Sequence, residues 1–295
     1  MRLIFLNSIF YFTAIFCAAS IARAQSASSL ATGGSGRATV EAGDVIFLNP
    51  ASLVHLRGRY FYSAASSVQK QFSVALSDST RDSLFAGGLA YSQSKDEKDA
   101  RFSNVSISVA DFIVNKWTIG ITGHQYIYQT SPQTTYNTHN LDVGLMYTPT
   151  PNVGFGLVGS NLFSLSKNLP VDFPAKRSYG LGANWIYRSL LRVRADLVLQ
   201  DHYNYASTVE GAAAPLVSES PSPGQDLIMM TGLESFMNSW AITRIGYQLN
   251  NTRNLQYASL GFGFRGPKFA LNYAWVTEIN GNQNQTHSID LQVPF

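Results

Sequence analysis

The chain has 295 residues, of which charged residues make up only 13%, about half of the share in an average globular protein. Aromatic residues also make up 13%, and the formal net charge is +3. So small a net charge excludes the strongly basic surface on which nucleic-acid binding depends. The composition suits a secreted β-sandwich, a secreted enzyme or an outer-membrane barrel.

Residues 1–24 predict a secretory signal peptide. Arg2 provides the positive charge of the n-region, an apolar run follows, and Ala-Arg-Ala at 22–24 forms a cleavage site. The alternative, a lipoprotein signal at Cys17, is disfavoured because Phe16 stands where a small residue is needed. Cleavage removes two arginines and the single cysteine, which lowers the formal net charge to +1. We therefore expect neither a disulfide nor a cysteine-based metal site.

The next stretch, GGSGRATVEAGDVIFLNPASL at 33–53, has the glycines of a nucleotide-binding loop. It lacks the lysine of a Walker loop. A dinucleotide loop also requires a strand before it and a helix after it, and the pattern predicts neither. No nucleotide cofactor is predicted here.

From residue 59 onward, apolar and polar side chains alternate, which places them on opposite faces of a strand. The last segment is typical, with Ile289, Leu291, Val293 and Phe295 on one face and Ser288, Asp290 and Gln292 on the other. Fourteen such segments are predicted, at about 59–67, 70–78, 84–93, 101–111, 116–128, 138–148, 152–161, 176–187, 191–201, 225–234, 239–249, 254–264, 267–277 and 286–295.

Three features favour a transmembrane antiparallel β-barrel over a soluble sandwich. The segments are about ten residues long, which is the length that crosses a bilayer. Aromatic residues such as Trp117, Tyr147 and Trp185 lie at segment ends. Connections after even-numbered segments are short, and most of those after odd-numbered segments are longer and polar. We predict an all-β protein in the bacterial outer membrane, with the barrel at 59–295 and outer-membrane lipid around it.

Charged strand residues are expected to face the lumen, because a lysine or arginine facing lipid at the bilayer midplane costs about 2–4 kcal/mol. This face is predicted to carry Arg192, Arg194, Arg244, Asp142, Asp196, Glu234 and Asp290. In the first interpretation these charges pair across strands and brace the wall. In the alternative, the arginines bind the anionic head group of a passing ligand.

Barrel width predicts a plug. About eight strands enclose a lumen that wall side chains can fill, so fourteen leave a wide space or an open pore. Residues 25–58 are long enough to fold back inside as a hatch. Gly33, Gly34 and Gly36 permit tight turns and close contact with the wall. Asn49 and Pro50 break the extended chain.

Residues 33–53, followed directly by barrel strands, resemble the N-terminal hatch of FadL-type outer-membrane transporters and their PorV-like relatives. The resemblance lies in the small-residue run, the acid, the aliphatic pair and the Asn-Pro-Ala that follow. It implies a fourteen-stranded barrel, a hatch that shifts on ligand binding, and a fatty-acid-like ligand. It also implies a lateral exit through a kinked third strand, for which Gly87 and Gly88 are the candidates.

No catalytic Ser–His–acid set and no metal site stands out in the sequence, so we expect neither an enzyme nor a cofactor. Phe295 closes an apolar face and is expected to help the barrel assembly machinery recognise the chain. The leading functional prediction is passive uptake of small hydrophobic molecules such as long-chain fatty acids. The alternatives are a partner-binding or structural PorV-like barrel and a general porin.

Overall fold

The computed structural model describes residues 26–67, 70–80, 82–96, 99–163, 169, 173–204, 222–280 and 284–295. The predicted signal peptide, with Cys17, lies outside these residues. None of the helices in the described part of the chain is long and apolar enough to span a membrane.

Fourteen antiparallel strands form a closed barrel in which sequence neighbours pair and β1 pairs with β14. The strands are β1 Arg59–Ser66, β2 Gln71–Asp78, β3 Ala86–Lys95, β4 Arg101–Val114, β5 Trp117–Ser131, β6 Thr134–Thr150, β7 Val153–Ser160, β8 Ser178–Tyr187, β9 Leu191–Asn204, β10 Ser222–Phe236, β11 Ala241–Asn250, β12 Leu255–Arg265, β13 Ala270–Glu278 and β14 Gln285–Pro294. The predicted fold class is confirmed.

One predicted loop is wrong. The predicted segments leave a connection over residues 129–137, but β5 and β6 continue through it to a turn at Pro132. Tyr128 pairs with Tyr136 inside the predicted loop. Threonine and tyrosine side chains favour strands even where they are polar, because they fit a pleated and half-buried surface.

The outward face of the wall is apolar. In β5, Ile119 and Ile121 are exposed, whereas Thr118 and Thr122 are fully buried. The same alternation exposes Val105, Ile107, Val109, Leu157, Leu181, Val193, Leu197, Leu199 and Leu260 on other strands. So large an apolar surface is unfavourable in water and is typical of the lipid-facing side of a membrane barrel.

The two ends of the barrel differ. Connections after even-numbered strands are short, and we call this the turn end. The opposite, loop end carries the two long connections, 161–177 and 205–221. At the turn end, Trp117 stacks on Tyr147 with ring centroids 4.5 Å apart. Such amphipathic rings suit the boundary between lipid and water.

The N-terminal segment, residues 26–58, lies inside the barrel. Nearly all of its side chains up to residue 53 are buried. The Ala27 amide donates to Asp290 on β14, and the Thr118 hydroxyl on β5 donates to the Ala51 carbonyl. Since these strands lie on different sides of a closed wall, the segment crosses the lumen. This is the location that a hatch requires, and its action as a hatch stays a prediction.

The residues singled out in the N-terminal segment shape its path. Gly33 and Gly34 have φ values of 70° and 84°, in the left-handed region that glycine adopts without strain. The Asn49 side chain accepts from the Ala51 amide and caps the 3₁₀ helix Pro50–His55. It also donates to the Arg37 carbonyl at 2.7 Å, which ties two parts of the segment together.

Inward-facing glycines let the segment touch the wall backbone. A Cβ added at Gly246 would lie 2.1 Å from the Gly33 nitrogen, and one at Gly156 would lie 2.2 Å from the Arg37 carbonyl oxygen. These distances leave no space for a side chain. The glycines at these positions thus allow the backbone of the N-terminal segment to contact β11 and β7.

The expected lateral gap at Gly87 and Gly88 is absent from the described residues of β3. Both residues pair in register with β2 and with β4, so the ladder is unbroken at this point. A Cβ at Gly88 would lie 2.6 Å from the Ile46 side chain. Gly88 therefore accommodates the N-terminal segment in this conformation, and an exit there stays a prediction.

We expect Gly246→Ala to displace the N-terminal segment while leaving the wall folded, because overpacking of this kind costs about 1–3 kcal/mol. Single-channel conductance in planar bilayers should rise, and heat-modifiable migration on gels should persist. Gly123→Ala is the matched control, since a Cβ there meets nothing within 4 Å. Equal conductance of the two variants would contradict the close contact.

Candidate functional site

A group of buried charges joins the N-terminal segment to three adjacent strands. This charge cluster consists of Glu41 from the segment, Arg192 and Arg194 on β9, Glu234 on β10 and Arg244 on β11. Glu234 lies opposite Arg192 and Arg244 in the strand registers. All five side chains are buried or nearly so.

Glu41 is held by two guanidinium groups. Arg192 Nη1 lies 2.9 Å from Glu41 Oε1, and Arg194 bonds the same carboxylate. Burial raises the pKa of Glu41, but the attraction of Arg194, Arg244 and Arg192 outweighs burial and holds the pKa well below its usual range. Glu41 is therefore ionised, and three arginines face two carboxylates.

Two more predicted lumen charges bind the N-terminal segment. Asp196 accepts hydrogen bonds from the Gly36 and Arg37 amides at 2.9 and 3.0 Å, and the Arg37 guanidinium lies 3.0 Å away. Asp290 accepts from the Ala27 amide and from Asn272, both at 2.7 Å. In this conformation the predicted charges other than Asp142 contact the segment or one another, which is the arrangement of the bracing interpretation.

Asp142 lies apart from the charge cluster, beside a small cavity near the loop end. The cavity has a volume of about 40 Å³. It is lined by Phe47, Ser92, Phe102, Asn104, His124, Tyr126, Asp142, Asn161, Pro174, Ala175 and Gln200, which we call the aromatic pocket. Since Phe47 belongs to the N-terminal segment, the segment forms part of the pocket wall.

Packed rings form one side of the pocket. Phe102 lies 5.3 Å from Tyr126 and 5.6 Å from Phe173, measured between ring centroids. Phe173 also meets Tyr128 edge-on at 5.8 Å. Offset and edge-to-face pairs of this kind are favourable and define a surface on which a further aromatic ring can pack.

Polar groups form the other side. His124 Nδ1 lies 3.0 Å from the Ser106 hydroxyl and 3.3 Å from Asn104 Oδ1. His124 Nε2 lies 3.4 Å from Asp142 Oδ2 and makes no hydrogen bond within the described structure. The Asn161 amide donates to Asp142 Oδ1 at 2.7 Å. The pocket thus combines rings with hydrogen-bonding groups.

The sequence analysis finds no Ser–His–acid set, yet the structure brings Ser106, His124 and Asp142 together on β4, β5 and β6. Ser106 is fully buried and is not among the residues that line the cavity. Its hydroxyl therefore has no access to a substrate carbonyl there. Among the described residues, no group of three or more histidine, cysteine, aspartate or glutamate side chains could hold a metal ion.

Sequence reasoning misses Glu41 as a binding residue, His124 and Phe102 as pocket residues, and Phe173 as the ring that packs on them. His124 follows the phase of Thr118 and Thr122, so the alternation of β5 already places it on the inward face. The local sequence pattern does not reveal which inward residues of different strands lie at the same level along the barrel axis.

Several solved structures share this fold. CymD, a monoaromatic hydrocarbon channel, is 12% identical with a TM-score of 0.64, and the match covers 92% of this chain and 97% of CymD. The toluene transporter TodX of Pseudomonas putida is 13% identical with a TM-score of 0.62, covering 92% and 99%. A FadL homologue of Pseudomonas aeruginosa is 10% identical with a TM-score of 0.63, covering 92% and 98%.

At these identities the likeness establishes a common fold. The FadL-type architecture expected from residues 33–53 is therefore confirmed. No model of a protein family matches the chain, and no curated protein matches it in sequence.

We expect Glu41→Gln to loosen the N-terminal segment. The variant leaves three buried arginines facing one carboxylate, and breaking a buried pair in this way costs about 3–5 kcal/mol. Planar-bilayer conductance should rise well above that of the unmodified protein. Asp99→Asn removes an exposed pair with Lys95 and should change nothing. A closed Glu41→Gln channel would contradict the role of the charge cluster.

A second prediction concerns Asp44 of the N-terminal segment. Its Oδ1 accepts from the Ser26 hydroxyl at 2.6 Å. Burial, followed by repulsion from Glu41, raises the pKa of Asp44 from 3.8 to about 7, while Arg194 opposes the shift and Asp290 adds to it. The neutral acid is therefore favoured in the docked segment, so docking is strongest below pH 3.8, weakens as pH rises from there to about 7, and stays constant above that pH.

Conductance of the unmodified protein should accordingly increase between about pH 4 and pH 7 and level off at higher pH. Asp44→Asn should abolish that increase, because its amide stays neutral. An identical pH response in the variant would assign the titration to another group.

Proposed function

We propose that the protein is a bacterial outer-membrane barrel that passively admits small hydrophobic molecules. The observation that carries this proposal is the aromatic pocket, which lies near the loop end and is closed on one side by Phe47 of a segment that crosses the lumen. A ligand enters from the loop end, packs against the rings and meets the segment. The arrangement differs from that of an open pore.

Contact between ligand and segment supplies a means of control. Phe47 packs against Tyr62 of β1, with ring centroids 6.3 Å apart, and both side chains are buried. A molecule that fills the pocket presses on Phe47 and favours a different position of the segment. Binding can shift this equilibrium only by the difference between its affinities for the two positions.

The outward apolar face supports a membrane location. Exposed aliphatic side chains cover the middle of the strands, and stacked rings lie at the turn end. In this proposal the predicted signal peptide directs export, and the barrel assembly machinery inserts the chain with help from Phe295. Outer-membrane lipid then surrounds the wall.

The solved neighbours support the proposed substrate class. CymD and TodX are described as a monoaromatic hydrocarbon channel and a toluene transporter, respectively. The pocket has a volume of about 40 Å³ and must widen for any ligand, and its lining rings offer a surface on which a compact aromatic molecule can pack. We therefore propose compact aromatics as the principal ligands and long-chain fatty acids as the class to test against them.

The proposal includes no chemical reaction and no cofactor. The buried carboxylates and arginines hold the N-terminal segment, and Ser106 beside His124 does not line the pocket. In this proposal the protein binds the ligand in the pocket, and the position of the N-terminal segment controls passage through the lumen. Its mechanism is passive movement down a concentration gradient.

Deletion of residues 25–58 tests the proposal most directly. The fourteen strands pair in a complete ring without this segment, so a folded wall should remain. Conductance in planar bilayers should rise from near zero to large and steady channels. In cells that lack other porins, the unmodified protein should increase uptake of labelled toluene more than uptake of labelled oleate.

Each alternative function predicts a different result. An unmodified protein that already conducts steadily would identify a general porin. A closed unmodified protein that opens on deletion but increases no uptake would favour a partner-binding or structural barrel. Preferred uptake of oleate would replace aromatics with fatty acids as the ligand class.

A further inference from the structure

We propose that the aromatic pocket selects ring compounds that carry a hydroxyl group, a phenol-like class, over unsubstituted hydrocarbon rings. The recognising pair is His124 Nε2 and Asp142 Oδ2. This inference rests on the proposed uptake function and names the substrate class of the same site.

Neighbouring side chains hold the His124 ring in one orientation. Its Nδ1 lies 3.0 Å from the Ser106 hydroxyl and 3.3 Å from Asn104 Oδ1. The Asp142 carboxylate beside Nε2 favours the tautomer with the proton on Nε2, in which the Ser106 hydroxyl donates to Nδ1. Tyr126 stacks on the imidazole with ring centroids 5.3 Å apart, which fixes the ring plane. Nε2 is therefore a positioned donor at the pocket wall.

The donor has no good acceptor in this conformation. Nε2 lies 3.4 Å from Asp142 Oδ2, and the atom is buried without a hydrogen bond. A buried donor without a partner is unfavourable. An oxygen placed about 2.9 Å from both atoms would accept from Nε2 and donate to Oδ2. A carboxylate has several lone pairs, so Asp142 can accept this bond beside the one from the Asn161 amide.

A hydroxyl group meets this requirement, because it donates and accepts at once. A methyl group on the same ring does neither and would cover His124 and Asp142 without satisfying them. Sites that hydrogen-bond a ligand hydroxyl discriminate against the analogue that lacks it. We expect at least about a tenfold difference in affinity.

The ring of such a ligand packs on Phe102 and Tyr126. The present cavity, about 40 Å³, is smaller than the roughly 150 Å³ that accommodates benzene in an apolar cavity. Binding therefore requires the pocket to widen. Phe173 lies in the connection between β7 and β8 and packs on Phe102, Tyr126 and Tyr128. Its displacement would give these rings room to move apart without breaking the wall.

The test compares phenol with toluene, which have similar size and differ in the hydroxyl and methyl groups. Equilibrium dialysis of the detergent-purified full chain measures binding of each labelled compound, with partition into detergent subtracted. The unmodified protein should bind phenol at least about tenfold more tightly than toluene.

Two variants assign the preference to the proposed atoms. His124→Phe keeps a planar ring and removes Nε2, so phenol affinity should fall about tenfold while toluene affinity stays the same or rises. Asp142→Asn keeps an oxygen acceptor for the Asn161 amide, and it should produce a smaller fall for phenol alone. Heat-modifiable migration establishes that each variant is folded.

His139→Phe is the matched control, because His139 lies on β6 with an exposed side chain. It should bind both compounds like the unmodified protein. Toluene bound as tightly as phenol, or an equal loss of both in His124→Phe, would overturn this inference and leave the uptake function intact. Binding of neither compound, together with no uptake in cells, would overturn both.

Discussion

The width of the wall is the constraint on which the interior depends. Closure of β14 onto β1 leaves no unpaired sheet edge, but a ring of fourteen strands encloses more space than its inward side chains can fill. Serine, threonine and glycine are frequent on the inward face, so the space stays large. The N-terminal segment occupies it with short polar contacts on several strands.

Shape and charge hold that segment in different ways. Glycines such as Gly246 and Gly156 allow backbone to meet backbone, so the contact is specific in position. Glu41 then enters between Arg192 and Arg194. Buried ion pairs add little net stability compared with apolar packing, but an unpaired member is strongly unfavourable. The charge cluster therefore favours one docked position over others.

The aromatic pocket forms between the N-terminal segment and the inner face of the wall. Phe47 lines the cavity together with Phe102 of β4 and Tyr126 of β5, and Phe173 packs behind these two rings. The same height of the lumen carries His124 and Asp142. A ligand site and the segment that closes it thus share one surface, which links occupancy of the pocket to the position of the segment.

The sequence by itself determined the strands, the inward phase of the charges and the need for a plug, because alternation, segment length and strand number are local or additive properties. Residues such as Arg194, Glu234 and Asp290 were predictable for this reason. Only the tertiary structure decided that Glu41 pairs with Arg194, that His124 faces Asp142 and that Gly88 meets Ile46 rather than opening the wall. Those contacts depend on strand register, closure and the path of the segment through the lumen, and residues far apart in the chain carry no local pattern that specifies their common height.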